Sequence, residues 1–197
     1  MHRTRLALTP FIGALALCAP LAMPAAAQEN AEMRMEAIML AIEAADSVEI
    51  TVAATAENKI ELEEKSLNDQ FRRAMRAYVN ARFDFKTGDF YPAGVLVLYD
   101  RPSRGAMAEA SIGLSLPGGV KAESTDRVKV MDFGFKRAVR HVHVGSFDQL
   151  EEVYDMIAKG LREKGQEAGF PVVLQILDDP TQTPPEKVRT VINVPVS

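Results

Sequence analysis

Shifted by 78 residues, the chain lies over itself without a gap, and this internal repeat limits the possible folds more than any other feature. Ile50 and Val52 fall on Val128 and Val130. Met75, Val79 and Phe83 fall on Val153, Ile157 and Leu161. Asp100-Arg101-Pro102 falls on Asp178-Asp179-Pro180, and Leu114-Ser115-Leu116-Pro117 on Ile192-Asn193-Val194-Pro195. A strand, a helix stripe, an Asp-x-Pro turn and a strand ending in proline all keep step, the trace expected of a duplicated supersecondary unit.

Each unit reads as β-α-β-β. The first strand is expected near 48–54. Its second copy, near 127–144, reads as two strands or one bent strand, with apolar–polar alternation over Val139-Arg140-His141-Val142-His143-Val144. The helices show one apolar face each: Leu67, Phe71, Met75, Tyr78, Val79 and Phe83, then Phe147, Leu150, Val153, Tyr154, Ile157 and Leu161. Ser146 suits the N-cap of the second helix, with Gln149 as its capping-box partner, and Gly165 ends it. Two strands should follow each helix, Gly94–Tyr99 and Ala106–Leu116, then Val172–Leu177 and Lys187–Val194. Runs such as Val95-Leu96-Val97-Leu98 are apolar throughout, as strands covered on both faces require. A further helix is predicted over 28–47, with Met35, Ile38, Met39 and Ile42 on one stripe. The expected fold is α+β, with duplicated βαββ units (48–117 and 126–197) forming one antiparallel sheet, two main helices and an N-terminal helix.

Residues 1–27 read as a signal peptide. Arg3 and Arg5 precede an apolar run broken by Pro10 and Pro20, and Ala25-Ala26-Ala27 offers small residues for cleavage. A periplasmic or secreted chain is therefore expected, with no stable membrane insertion after cleavage. Leu17 before Cys18 does not fit a lipid-attachment signal. Cys18 is the one cysteine and would leave with the leader, which excludes disulfides, thiolate metal sites and a cysteine nucleophile. Lys and Arg number 23 against 27 Asp and Glu, and the leader removes two of the arginines. That acidic balance argues against nucleic acid as a partner. Arg72, Arg73, Arg76 and Arg82 read as the solvated side of the first main helix.

The second unit runs His143-Val144-Gly145-Ser146-Phe147, a helix, Leu177-Asp178-Asp179-Pro180, and a last strand ending Val194-Pro195-Val196. In this order the motifs resemble the C-terminal half of the GyrI-like, or AraC-type effector-binding, family. Its members typically show His-x-Gly-Pro-Tyr, a helix, a strand ending near Asn-Asp-Pro, and a final Ile-Pro-Val. The resemblance covers 48–197, with specific motifs only after residue 139. It implies two βαββ units about a pseudo-twofold axis, with a small organic molecule held in the cleft between them. Some relatives are sensor halves of transcription factors, and some are hydrolases. The family often places a cleft glutamate in the final strand, where this chain has Val191 after Thr190. A buried carboxylate is what attracts a cation or moves a proton, so both activities lose their best-placed group.

The expected ligand is a small apolar or aromatic organic molecule, lined by Tyr99, His141, Phe147, Tyr154 and Val191. No cofactor, catalytic residue or metal site is expected. Two alternatives stand beside this reading. A cofactor-free hydrolase would need another carboxylate, such as Glu109, in the cleft. A haem or metal protein would use His141 and His143, which strand alternation puts on one face but which lack an evident third ligand. Phosphate loops, nucleophile elbows, zinc helices and calcium loops are absent from the sequence.

Overall fold

The computed structural model describes residues 25–55, 60–61, 69–70, 72–73, 76, 93–103, 107–116, 123–179 and 182–197. Helix α1 (Ala25–Glu43) leads into β1 (Asp46–Thr55), β2 (Ile60–Glu61), β3 (Gly94–Leu98), β4 (Met107–Ala108), β5 (Ala110–Leu116) and β6 (Val128–Val144). A 3-10 turn (Phe147–Gln149) then opens helix α2 (Leu150–Glu163), followed by β7 (Val172–Ile176), a second 3-10 turn (Pro185–Lys187) and β8 (Arg189–Pro195). Residues 1–24, where most of the expected signal peptide falls, most of the expected first main helix and Tyr78 lie outside the described residues. Helix α1 begins at Ala25, inside the expected leader, and ends four residues before the expected boundary at 47.

Six strands close into an antiparallel barrel in the order β1-β5-β3-β7-β8-β6, with β6 returning to β1. β2 and β4 form a separate two-stranded pair. No helix among the described residues is long and apolar enough to cross a membrane.

The strand registers assign each side chain to a face. Directly paired residues share a face and neighbours along a strand alternate. One row runs Ile112–Leu96–Leu174–Ile192–His141 across β5, β3, β7, β8 and β6. Its apolar members join Ile38 and Ile42 of α1 and Val153, Ile157 and Leu161 of α2 in the main core. The adjacent rows, Ser111–Val97–Val173–Asn193–Arg140 and Gly113–Val95–Gln175–Val191–Val142, turn the other way. With β1 they build a second cluster, Ile50, Val52, Ala54, Val95, Val97 and Val173, to which neither α1 nor α2 contributes.

Helix α2 begins as its sequence suggests. The Ser146 side chain accepts the Asp148 N–H at 3.2 Å, and the chain passes through one 3-10 turn before Leu150. Its far end closes with the Gln166 N–H on the Leu161 carbonyl and the Gly165 N–H on that of Arg162, a Schellman pattern. Helix α1 packs across α2 at Gly160. A Cβ there would lie 2.7 Å from Ile42 Cδ1 and 3.1 Å from Met39 Sδ, so a larger residue would push these two side-chain ends aside.

The expected long strand is one strand with a break in register. Phe135 faces Val48, but Ala138 faces Asp46, so β6 carries one residue more than β1 over this stretch. Such a bulge reverses which residues face the core. Before it, Met131, Phe133 and Phe135 pack on the second cluster; after it, Val139 belongs to the helix-side core. The shift of 78 carries β3 onto β7, which pair with each other about Leu96 and Leu174. It fails for the first strand. Val52 pairs with Ser115 of β5, whereas Val130 pairs with Ala53, and β6 meets β8 only from Ala138 onward.

Candidate functional site

The buried polar side chains on the face away from α1 and α2, Ser111 and Asn193, are neutral, while Arg140, paired with Asn193, is exposed at its β6 edge. Asn193 is wholly buried. Its amide nitrogen donates to the Val173 carbonyl at 2.9 Å and lies 3.5 Å from Gln175 Oε1, while its Oδ1 has no hydrogen-bond partner among the described residues. Tyr99 continues the alternation of Val95 and Val97. Its hydroxyl lies 3.3 Å from Ser111 Oγ and donates to Met131 Sδ at 3.7 Å. Phe133 and Phe135 stack beside it on the same cluster, with ring centroids 6.4 Å apart. Towards β6 this face opens. Val142 and Val144 are 52% and 53% exposed, and Leu177 is also exposed, with Val191 buried between Gln175 and Val142.

The five residues expected to line one site divide between the two faces. Tyr99 and Val191 belong to this second face. Phe147 and Tyr154 are packed in the helix-side core, Tyr154 stacking on Phe170 at 5.6 Å. Burial pushes the Tyr154 hydroxyl above its ordinary pKa. His141 faces α1 with His143, in a groove that also holds Met33, Arg34 and Met156. The side taken by His141 follows from the β6 bulge, which turns odd-numbered residues after it towards the helices. Asn193, Gln175 and Ser111 were missed by sequence reasoning. Their signal was the strand alternation itself, which puts them on the face of Val95 and Val97 once the registers are known.

Both histidines are held below the usual histidine pKa. For His141 burial is the main cause, with His143 and Arg34 adding to it. For His143 burial again dominates, and the Ser146 carbonyl opposes it. His143 Nε2 lies 3.4 Å from that carbonyl. Gly145, between them, has φ +151, and a Cβ there would collide with Gln149 Oε1 and lie 3.0 Å from the His143 ring. The glycine of the His-x-Gly motif thus makes room for its histidine. Glu109, the carboxylate a hydrolase would require, is exposed, and its N–H donates to Asp100.

The hairpin turns after β3 and β7 repeat one device. Asp100 accepts the Glu109 N–H at 3.0 Å while the Tyr99 N–H reaches the Glu109 carbonyl. Asp178 accepts the Arg189 N–H at 2.9 Å while the Leu177 N–H reaches the Arg189 carbonyl. Asp178 also takes a two-pronged bond from the Arg189 guanidinium, which holds its carboxyl below the ordinary range.

No family model matches the chain, and no curated protein matches it in sequence. Solved structures do. A hydrolase from Listeria innocua superposes with a TM-score of 0.53 at 19% identity, over 78% of this chain and 91% of that one. An uncharacterized conserved protein from the same organism gives 0.51 at 18%, over 78% and 92%. The EcmrR C-terminal domain gives 0.59 at 13%, over 78% and 95%, and EcmrR in a complex with DNA gives 0.61 at 13%, over 87% and 69%. At these identities the likeness is one of fold, and the chain has the fold of the EcmrR C-terminal domain and of the Listeria innocua hydrolase.

Proposed function

We propose that the chain is an exported, GyrI-like binding protein of two repeats that holds a neutral, largely apolar organic molecule against the face away from α1 and α2. The repeat reading is supported by the matching aspartate turns and by the pairing of β3 with β7 about Leu96 and Leu174. The export reading rests on the leader-like residues 1–27. No nucleic acid partner is assigned. EcmrR shares the fold, but this chain carries an acidic balance.

The observation that carries the ligand reading is Asn193 Oδ1, a wholly buried acceptor without a partner on an apolar face. Leaving such an atom unpaired costs about 1–3 kcal/mol, and a ligand N–H or O–H would recover it. Val191 stands where the family resemblance puts a glutamate, so the site is fitted to neutral compounds and not to cations. Val142, Val144 and Leu177 form the apolar rim by which a ligand enters.

Thermal melting against matched panels of neutral and cationic aromatic compounds tests this. Neutral compounds bearing a donor group should raise the melting temperature by mass action. Asn193→Leu should weaken the best of them about tenfold, while the melting temperature of the free chain reflects the lost Val173 hydrogen bond offset by the removal of an unpaired oxygen. No shift from any compound, or a preference for cations, would count against the reading.

A further inference from the structure

A groove of about 400 Å³ lies between α1 and the last residues of β6, reaching Val142 and Val144 at the strand's edge. Met33 and Arg34 of α1, His141 and His143 of β6, and Val153 and Met156 of α2 line it. The two histidines are only 8% and 3% exposed. No hydrogen bond among the described residues engages the His141 ring. His143 donates from Nε2 to the Ser146 carbonyl, which fixes the ring and leaves Nδ1 with its lone pair. A histidine that ligates a metal is commonly held in this way through its other nitrogen.

We propose that this groove binds a soft monovalent metal ion, copper(I) by its chemistry, through the imidazoles of His141 and His143 and the thioethers of Met33 and Met156. Imidazole and thioether donors together select copper(I) among first-row ions. Among the described residues no three His, Cys, Asp or Glu side chains converge, so zinc, calcium and other ions that need charged or oxygen donors lack a set. All four donors are neutral, and the groove already holds the Arg34 guanidinium, 4.0 Å from Glu152. A divalent ion would bring two uncompensated charges beside that cation; a monovalent ion brings one. Because Met33 belongs to α1, His141 and His143 to β6 and Met156 to α2, the bound ion would tie the N-terminal helix to the domain.

Anaerobic titration of the full chain with copper(I), in competition with the chromophoric chelator bicinchoninate, reads this directly. One equivalent should leave the chelator for the protein. Met33→Leu should weaken binding at least tenfold and His141→Gln should abolish it. Met107→Leu, at an exposed methionine of β4 outside the groove, should leave it unchanged. Met33 is more than half exposed, so its substitution spares the fold and decides the matter should His141→Gln fail to fold. Silver(I), a redox-inert stand-in, should shift the ring resonances of both histidines. Copper remaining wholly with the chelator, or either folded variant binding like the parent chain, overturns the proposal.

Discussion

The two faces of the sheet use alternate residues of the same strands and are built to different ends. On the helix side, Leu96, Leu174 and Ile192 are sealed by α1 and α2, and the row ends in His141. On the other, Val97 and Val173 are buried with no part played by those helices, and the row runs through Asn193, whose amide oxygen is unpaired. The first arrangement is a closed core with one polar margin; the second combines apolar walls, neutral polar groups and an exposed apolar rim. Each face leaves a wholly buried polar atom unpaired among the described residues, Asn193 Oδ1 on the one and Thr190 Oγ1, opposite His143, on the other, so it is the exposed apolar rim of Val142, Val144 and Leu177 that marks the second face as the candidate for a ligand. One extra residue in β6 determines which face the histidines join.

Removing that residue is the most drastic way to break the contrast. Deleting Lys136 should send His141 and His143 to the opposite face and take Val139 out of the helix-side core, because a one-residue slip inverts a strand. Loss of the cooperative melting transition is the expected outcome. A variant that melts like the parent would show that the bulge does not separate the faces.

A core truncation sharpens the difference between sealing and binding. Ile157→Ala, at a fully buried position of α2, should cost about 2–5 kcal/mol in denaturant unfolding. Ligand affinity at the opposite face should be unchanged under conditions where the variant remains folded. Equal loss of affinity would tie the two faces together.

The pH dependence of stability should belong to the helix side. His141 and His143 are kept neutral chiefly by burial, with Arg34 facing both and Glu152 partly offsetting it at His143. Their folded pKa values lie below the unfolded value of about 6.5, so the unfolded chain takes up protons first as pH falls. Stability contributed by the neutral rings is therefore intact above about pH 6.5 and declines as pH falls from there towards the folded values. Melting temperatures measured in metal-free buffer from pH 7.5 to 5 should show this fall, and the double variant His141→Gln/His143→Gln should flatten it. An unchanged slope in the double variant would assign the dependence elsewhere.

The smallest of these effects lies at the turn that holds His143. Gly145→Ala introduces a side chain at positive φ beside Gln149 and the His143 ring, at a cost of about 1–2 kcal/mol by chemical denaturation. The ring resonances of His143 should move while those of Tyr99 stay in place. Movement of Tyr99 as well would mean that the turn communicates with the far face.

Much of the architecture was readable along the chain, because periodicity is a local property. The helix stripe from Phe147 to Leu161 and the apolar runs of β3 and β7 occupy the places the pattern indicates. The shift of 78 carries β3 onto β7 but not the first strand onto its counterpart by pairing: Leu116 faces Thr51, whereas Val194 faces Val139, far along β6 from Lys129, a displacement much larger than the bulge and invisible in an alternating pattern. The candidate site was harder to read. His141, Phe147 and Tyr154 look suited to a ligand by residue type, yet the face each one joins depends on register and on where the helices pack. Asn193 offers the reverse case. It is unremarkable as a residue in the final strand, and it gains meaning only when cross-strand pairing places it opposite Val173 with an acceptor left over.

The most direct measurement is a map of backbone amide shifts when the best neutral compound from the melting panel is titrated into the labelled chain. Shifts gathered at Val95, Val97, Val173, Val191 and Asn193, and absent from α2, are the expected result. Shifts gathered at Val153, Tyr154 and Ile157, with the Val97–Val173–Asn193 row unmoved, would contradict the assignment of the ligand to the face away from the helices.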